Sequence, residues 1–572
     1  MRLWIPACAL LLLASAASFA EETIPADGVL WDPPTLHCIG VRWFVNEAEY
    51  PLASIAVTYR RVGETNWRRA MPLFRVEPDA LLEDRRPPEG TTLYAGSIFN
   101  LTPDTDWEVR LSLTDKDGKT AERCATLHTW KEPVAPAPSR TLHVVPGTGG
   151  GDGTAANPFK GLAAAEVAAQ PGDLILVHAG DYPGPVKFGR SGTEAAPIVW
   201  RAAGDGVAAI TGPAKGTAAS CNGRFVFLEG FTFRKTRTGL RLTAANNVTV
   251  RKCKFLEVQT GITASRRQVR LCIVDNVLVG PHTWGVRGDV RGEPRGIQVS
   301  GIGHVIAYNR VSGFRDGIDT RPPYPVRGID IHNNDVSESQ DDGAELDASE
   351  SNCRLYCNRF TNVPMGISFQ PSRGGPNYAI RNVLVNVGHE TFKLHVTRSK
   401  VTSGGVILHN TVVRKGPAFR VWSKSSQAHF FYARNNLYVT TGADQAIEIT
   451  CPMESADFDY DVFAGGPFRH FAYWNKKRYP TIDAFRNAGQ EAHGTVLNGT
   501  TGIFASPAMH PPADKSEKMD YAKSDARLAA TSPAIDKGEV LPNINDGFKG
   551  AAPDAGAIEF GDPLPHYGPR SE

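Results

Sequence analysis

Several things are scarce in this 572-residue chain, and each scarcity excludes something. Beyond the first twenty residues no stretch approaches the eighteen or so apolar residues that a membrane-spanning helix needs, so no further span is expected. Net charge is almost absent: 62 Lys and Arg stand against 60 Asp and Glu. That balance argues against a nucleic-acid binder, which carries a basic excess. No CxxC pair occurs, which argues against a zinc site. Helical periodicity is missing between about residues 237 and 437. Turn formers, by contrast, are plentiful, with 56 Gly and 41 Pro, as in turn-rich β proteins.

What fills residues 237–437 is a repeat. A small residue, usually Gly, opens a five-residue alternating phrase, and an Asn follows after a gap. The phrases begin at Gly239, Gly261, Gly296, Gly317, Gly343, Gly366, Thr391 and Ala418. The Asn positions keep the same beat: Asn276, Asn309, Asn334, Asn358, Asn382, Asn410 and Asn436. A short period built of strands and polar turns predicts a solenoid, and the lack of helices makes it a parallel β-helix. Side chains alternate along a strand, so positions two and four of each phrase (Ile318, Leu346, Phe369, Phe392) are expected inward. Positions three and five are expected outward, as two columns. The first is Arg241, Thr263, Gln298, Asp319, Glu345, Ser368, Lys393 and Arg420. The second is Thr243, Ser265, Ser300, Arg321, Asp347, Gln370, His395 and Trp422. From residue 316 onward these columns fill with acids, bases, an imidazole and an indole, which solvation alone does not require.

The length admits two or three domains. Residues 1–20 read as a secretory leader, with Arg2, an apolar run from Leu3 to Leu13, and Ser18-Phe19-Ala20 as the cleavage site. A secreted or periplasmic protein is therefore expected, and an oxidising compartment in which Cys38 and Cys124 could pair. Residues 24–131 alternate as a small β-sandwich. Residues 132–140 form a Pro/Ala linker. Residues 141–450 form the β-helix, opened by a capping helix within 158–169, and residues 451–572 supply irregular terminal coils and a C-terminal cap.

Several segments resemble known families. Leu101-Thr102-Pro103-Asp104-Thr105-Asp106-Trp107 resembles the corner of fibronectin type III domains, with Trp107 where that family has Tyr, and implies a spacer or a glycan-binding platform. The NPF…PGD pattern at residues 157–173 and the closing Pro553-Asp554-Ala555-Gly556-Ala557-Ile558-Glu559 look like the ends of secreted pectate-lyase-like β-helix enzymes, and imply a right-handed solenoid. The turns Asp316-Gly317-Ile318-Asp319 and Gln340-Asp341-Asp342-Gly343 resemble those of glycoside hydrolase family 28 polygalacturonases, and Lys393-Leu394-His395 stands where that family presents two outward bases. The first turn lacks that family's Asn-Thr, and Pro364-Met365-Gly366 replaces its Gly-His-Gly.

The resemblance implies glycosidic hydrolysis by Asp316, Asp341 and Asp342, one protonating the leaving oxygen and the others activating water, with no cofactor required. Arg321, Gln370, Lys393, His395, Arg420 and Trp422 would hold the sugar, an acidic polysaccharide. Glu345-Leu346-Asp347 resembles the Glu-x-Glu calcium ligands of polysaccharide lyase family 6. That similarity implies a second reading, a calcium-assisted lyase or C5-epimerase, with Asp319, Glu345 and Asp347 on calcium, Lys393 as base, and Arg321 or His395 assisting. A third reading is a non-catalytic glycan-binding or adhesin β-helix. In each case the chain is expected to act as a monomer, without nucleic acid or a membrane span.

Overall fold

The computed structural model describes residues 24–76, 87–286, 289–321, 325–396, 401–423 and 426–571. The predicted leader lies outside the described residues, as do Pro322, Pro323 and Tyr324 of the loop after Arg321. No helix among the described residues is long and apolar enough to cross a membrane.

The repeat folds as a parallel β-solenoid of three sheets. One coil, for instance, runs from Ile198–Ala202 in the first sheet, through Ala208–Thr211 in the second, to Thr217–Cys221 in the third. Long strands such as Thr232–Thr243 and Lys254–Ser265 pass through both of the last two. The sequence repeat is the third sheet. Its pairing runs Arg241↔Thr263↔Gln298↔Asp319↔Glu345↔Ser368↔Lys393, the expected first column as far as Lys393. Arg420, its last expected member, pairs onward with Glu448 in a separate small sheet.

Two residue types make the corners. Between the first and second sheets, a residue in the left-handed region precedes each ladder Asn, such as Asn333 (φ 53°) before Asn334. The Asn side chains turn inward, where Nδ2 of each donates to Oδ1 of the next at 2.9–3.0 Å from Asn276 to Asn436. All are buried, and each also donates to a main-chain carbonyl of the preceding coil, as Asn334 does to Ile306, so every ladder amide is paired. Between the second and third sheets the Gly of each phrase is needed for space. A Cβ on Gly317 would lie 2.5 Å from Val336, and one on Gly343 would lie 2.8 Å from the Phe360 ring. With that position turned inward and empty, two consecutive residues face the core. The residue before the Gly is then thrown outward beside position three.

The ends and flanks depart from expectation in three respects. The capping helix is Leu162–Ala168, which buries Leu162 and Ala165 but leaves Val167 exposed. The solenoid continues beyond residue 450, through Val462–Gly466, His470–Trp474 and Thr495–Asn498, and the helix Ile482–Arg486 plugs its end with Phe485. Residues 500–571 are not a cap. They run back along the outside, covering the apolar outer face of the second sheet (Val383, Val413, Leu437, Val439) before Arg570 pairs with Asp275 and Glu132.

Residues 24–131 form two four-stranded antiparallel sheets around a core that includes Trp43, Val57, Trp107 and Leu111. This sandwich is not held off as a spacer. It packs on the outer face of the first sheet, where Phe99 and Cys38 meet Tyr378, Ile380 and Leu408, and it buries ion pairs there. Arg354 bonds Asp330 at 2.5 Å and the sandwich's Ser97 at 3.1 Å, and Asn352 reaches Asp32 at 2.8 Å. No disulfide joins Cys38 to Cys124: Cys38 is buried in this interface, and Cys124 donates to Glu122 on the outermost strand.

The Asn ladder ends on acids. Asn436 donates to Asp461, whose own amide donates to Glu491 at 3.3 Å, and both acids are buried. One oxygen of each lacks a hydrogen-bond partner. Burial pushes Asp461 up to about 7 and raises Glu491 as well, the latter with help from Asp461. A carboxyl raised by folding binds more protons than the unfolded chain, so its contribution is fully present below about pH 4 and is lost as pH rises through about 7. The shift is worth on the order of 2–4 kcal/mol. Asp461→Asn keeps the acceptor and adds a donor toward Glu491. It is expected to stabilise the protein at pH 8 and to have little effect at pH 4, in denaturant titrations at the two pH values. Equal effects at both would show that this pair carries no proton.

Candidate functional site

The first two sheets are covered on the outside, the first by the sandwich and the second by residues 500–571. The third is the sheet whose outward side chains are polar, and the corner Gly doubles its outward display. One column is Arg295, Asp316, Asp342, Met365 and Glu390. In it Arg295 pairs with Asp316, Asp342 with Met365 and Met365 with Glu390, while Asp316 and Asp342 hold the same register on adjacent strands. The other is Gln298, Asp319, Glu345, Ser368 and Lys393. These side chains crowd one another. Asp316, Asp319, Asp342, Glu345 and Lys393 are each at most 9% exposed, so they stand in a tight polar cluster rather than in open solvent.

Arg295 is the hub. Its guanidinium bonds Asp316, lies 2.9 Å from both Asp319 and Glu345, and pairs with Glu293 at 3.1 Å. Lys393 Nζ donates to Asp342 at 2.7 Å, and the Asp342 amide donates to Asp316 at 3.1 Å. Four carboxylates (Asp316, Asp319, Asp342, Glu345) thus face two cations (Arg295, Lys393), two negative charges in excess if all are ionised. Burial and the Glu345 carboxylate push Asp316 up to about 7 against the pull of Arg295. Burial, with Arg295 opposing, raises Asp319. Burial also raises Asp342, with Lys393 opposing. Burial would strip the proton from Lys393, but the nearby Asp342, Asp347 and Asp341 carboxylates outweigh it and hold the amine protonated.

The other expected residues scatter around this cluster. Asp341 turns aside to Arg315, 3.1 Å away. Thr243 and Ser265 pair at the ends of their strands, but from Ser300 onward the expected second column lies past the strand ends and does not form a uniform outward row. Ser300 is buried against main-chain carbonyls. Asp347 accepts from Ser368 and from the Gln370 amide, at 2.7 and 2.9 Å. His395 meets Glu390 at 3.1 Å. Burial raises Glu390, but hydrogen bonds with His389 and His395 more than reverse this and hold it at about 2. Arg321 is exposed, 3.7 Å from Glu293. One coil beyond Lys393, Arg420 pairs with Glu448 at 3.0 Å and lies 4.8 Å from the ring of Trp422, which is 53% exposed. Arg295 escaped the sequence reading although it was legible: Arg295-Gly296-Ile297 occupies the frame of Asp316-Gly317-Ile318.

A divalent cation fits this cluster. Asp316, Asp342 and Glu345 each offer an oxygen within 4.8 Å of the others. All donors are hard carboxylate oxygens of the kind calcium takes, and the buried Oδ1 atoms of Asp342 and Asp319 lack hydrogen-bond partners. The set differs from the expected Asp319, Glu345 and Asp347: Glu345 is shared, Asp319 adjoins through Arg295, and Asp347 is tied into the following turn. A crevice of about 300 Å³ elsewhere, between sandwich and first sheet, is lined by His37, Phe99, Tyr308, His332 and Tyr356 among others but by no acid.

No family model and no curated protein matches the chain. Similar solved structures include the pectate lyase Pel9A, with 18% identity and a TM-score of 0.47 over 74% of this chain and 97% of that one. An alginate lyase from Paenibacillus sp. str. FPU-7 has 15% identity and a TM-score of 0.30, covering 63% and 99%. The family 28 exopolygalacturonase of Yersinia enterocolitica has 9% identity and a TM-score of 0.28, covering 83% and 98%.

Millimolar calcium is expected to raise the melting temperature of the wild type by a few degrees, and Glu345→Gln to abolish most of that rise. An unchanged wild-type melting temperature would mean that Arg295 and Lys393 alone satisfy the acids.

Proposed function

We propose that the chain is a polysaccharide-degrading enzyme that cleaves a uronate-containing polymer by calcium-assisted β-elimination along the third sheet. The observation that carries this reading is the convergence of Asp316, Asp342 and Glu345 within 4.8 Å of one another, with Lys393 Nζ 2.7 Å from Asp342. An oxygen-only cage with an amine at its rim suits proton abstraction beside a carboxylate. The same closeness weighs against inverting hydrolysis, which needs carboxyl groups roughly 6.5–9.5 Å apart to seat a water. Of the three aspartates expected to catalyse hydrolysis, Asp342 is engaged by Lys393 and Asp341 by Arg315.

In this reading Asp316, Asp342 and Glu345 hold the cation. Its chemistry there would be to neutralise the uronate carboxylate, acidify the adjacent C–H bond and draw the Asp342 carboxylate away from Lys393. Lys393, its proton released to solvent once the Asp342 carboxylate is drawn off, takes the C5 proton as the neutral amine. The C–H electron pair becomes the C4–C5 double bond as the C4–O bond breaks with its own pair, and the departing oxygen takes a proton from solvent. Arg295 fixes Asp316 and Glu345 on adjacent coils, so it positions the cage. Trp422 offers a ring face to a neighbouring sugar. The leader expected at residues 1–20 would fit an exported enzyme, since polymeric substrates lie outside the cell.

Product analysis on uronate polymers tests this. Elimination yields new reducing ends together with the ultraviolet absorbance of an unsaturated uronate. Chelation should abolish both, and Lys393→Ala should lower kcat by about 10²–10⁴-fold while leaving calcium-dependent stabilisation in place. Reducing ends without the unsaturated product, insensitive to chelation and lost in Asp342→Asn, would instead support hydrolysis.

A further inference from the structure

A second charged patch lies one coil past Lys393, and its sign is opposite. Arg414 is completely buried, yet its guanidinium donates only to neutral acceptors: Thr391 Oγ1 at 3.0 Å, the His389 carbonyl at 2.9 Å and the Lys415 carbonyl at 3.4 Å. Burying a charge without a carboxylate is costly, and here more positive charge is brought to it. A Cβ built on Gly416 would lie 3.4 Å from Arg414 Nη2 and 3.7 Å from Lys515 Nζ, so the two cationic nitrogens are no more than about 7 Å apart. Arg420 and Lys415 are close enough to depress Lys515 along with Arg414, after burial. Of the acids in range, Glu448 is engaged by Arg420, Glu390 by His389 and His395, and the exposed Asp514 beside Lys515 accepts from Ser516.

Lys515 comes from far along the chain and is brought here deliberately. Residues 513–519 are fastened to the solenoid from several coils. Lys415 donates to the Ala513 carbonyl, Trp284 and Asn386 both donate to the Glu517 carbonyl, and Asn362 exchanges two hydrogen bonds with Met519. Those bonds fix the main chain on either side of Lys515, while no hydrogen bond or ion pair holds its own amine among the described residues. The half-buried ammonium is therefore presented within electrostatic reach of Arg420, whose guanidinium lies 4.8 Å from the exposed Trp422 indole.

We propose that Lys515 and Arg420, backed by the buried charge of Arg414 and floored by Trp422, form an anion subsite that binds the carboxylate of a second uronate one coil from the reaction centre. The proposal rests on the reading of the third sheet as the path of an acidic polysaccharide. It adds a polarity to that path, with acids that would hold the cation at one end and an excess of bases at the other. A chain of acidic sugars laid along the coils has its charge drawn in at both places, by the cation at one and by the bases at the other.

The test is calorimetric binding of uronate tetrasaccharides, and of their carboxyl methyl esters, in a Lys393→Ala background that prevents cleavage. Lys515→Gln is expected to weaken binding of the acidic tetrasaccharide about fivefold, in keeping with a partly screened ion pair. Lys515→Glu should weaken it further, and Lys515→Arg should restore it. The differences should vanish with the methyl esters and shrink at high salt. Lys515 is on the surface, so these variants are expected to fold, and an unchanged melting temperature checks that. Acidic tetrasaccharide bound equally well with and without Lys515 would overturn the subsite and leave the groove reading standing. Equal weakening on the esters would assign Lys515 a packing role and overturn it too. No binding of any uronate to the parent would bring down the groove reading and the subsite with it.

Discussion

The chemistry of this protein depends on a side chain that is missing. To pass from the second sheet to the third, each coil sets one inward position against the side chains already filling the corner, and at Gly317 and Gly343, the coils that carry the acids, only Gly fits. That position is not chosen for an unusual φ; the constraint is the 2.5–2.8 Å that a Cβ would leave at Gly317 and Gly343. Once it is met, the residue before the Gly joins position three on the outside. Two polar columns then stand where simple alternation supplies one. Asp316 and Asp342 reach the cluster through this corner, while Asp319, Glu345 and Lys393 reach it through the strand.

How much of this could be read from sequence follows from distance along the chain. The solenoid, the column from Arg241 to Lys393 and the Asn ladder all repeat within one coil, and local periodicity records them. The position of Asp316 relative to Asp342 was equally legible, since both precede the phrase Gly. Arg295 holds the same place, but it follows a long loop at 280–294 and carries the opposite sign, so a search for clustered acids passes over it. The fates of Asp347, Gln370 and His395 were not legible, because alternation holds only inside a strand and these residues lie after the strands end. Lys515 and the docking of the sandwich were out of reach for another reason: nothing local says which outer face a remote segment will cover. The apolar outward residues of the second sheet, Val383, Val385 and Val439, did carry a hint that something must cover them.

The cluster is electrostatically expensive, and its geometry shows how it is tolerated. Arg295 answers three acids at once, Lys393 answers a fourth, and the remaining excess of negative charge is left for whatever binds. Such groups tend to destabilise a fold on their own, so they persist where surrounding structure holds them in place. Here that structure is the register of the coils beneath.

The sandwich belongs to that support. Between Asp316 and Asp342 the chain makes one full circuit, and midway round it passes through Asp330, which is sealed under the sandwich with Arg354 of the next coil. The circuit that carries the two aspartates on one side is thus pinned on its far side by the amino-terminal sandwich. A domain that touches none of the acids sets how firmly they can be held apart. Recombining this solenoid with a different amino-terminal module would therefore be a change to the foundation of the site, not an exchange of attachments.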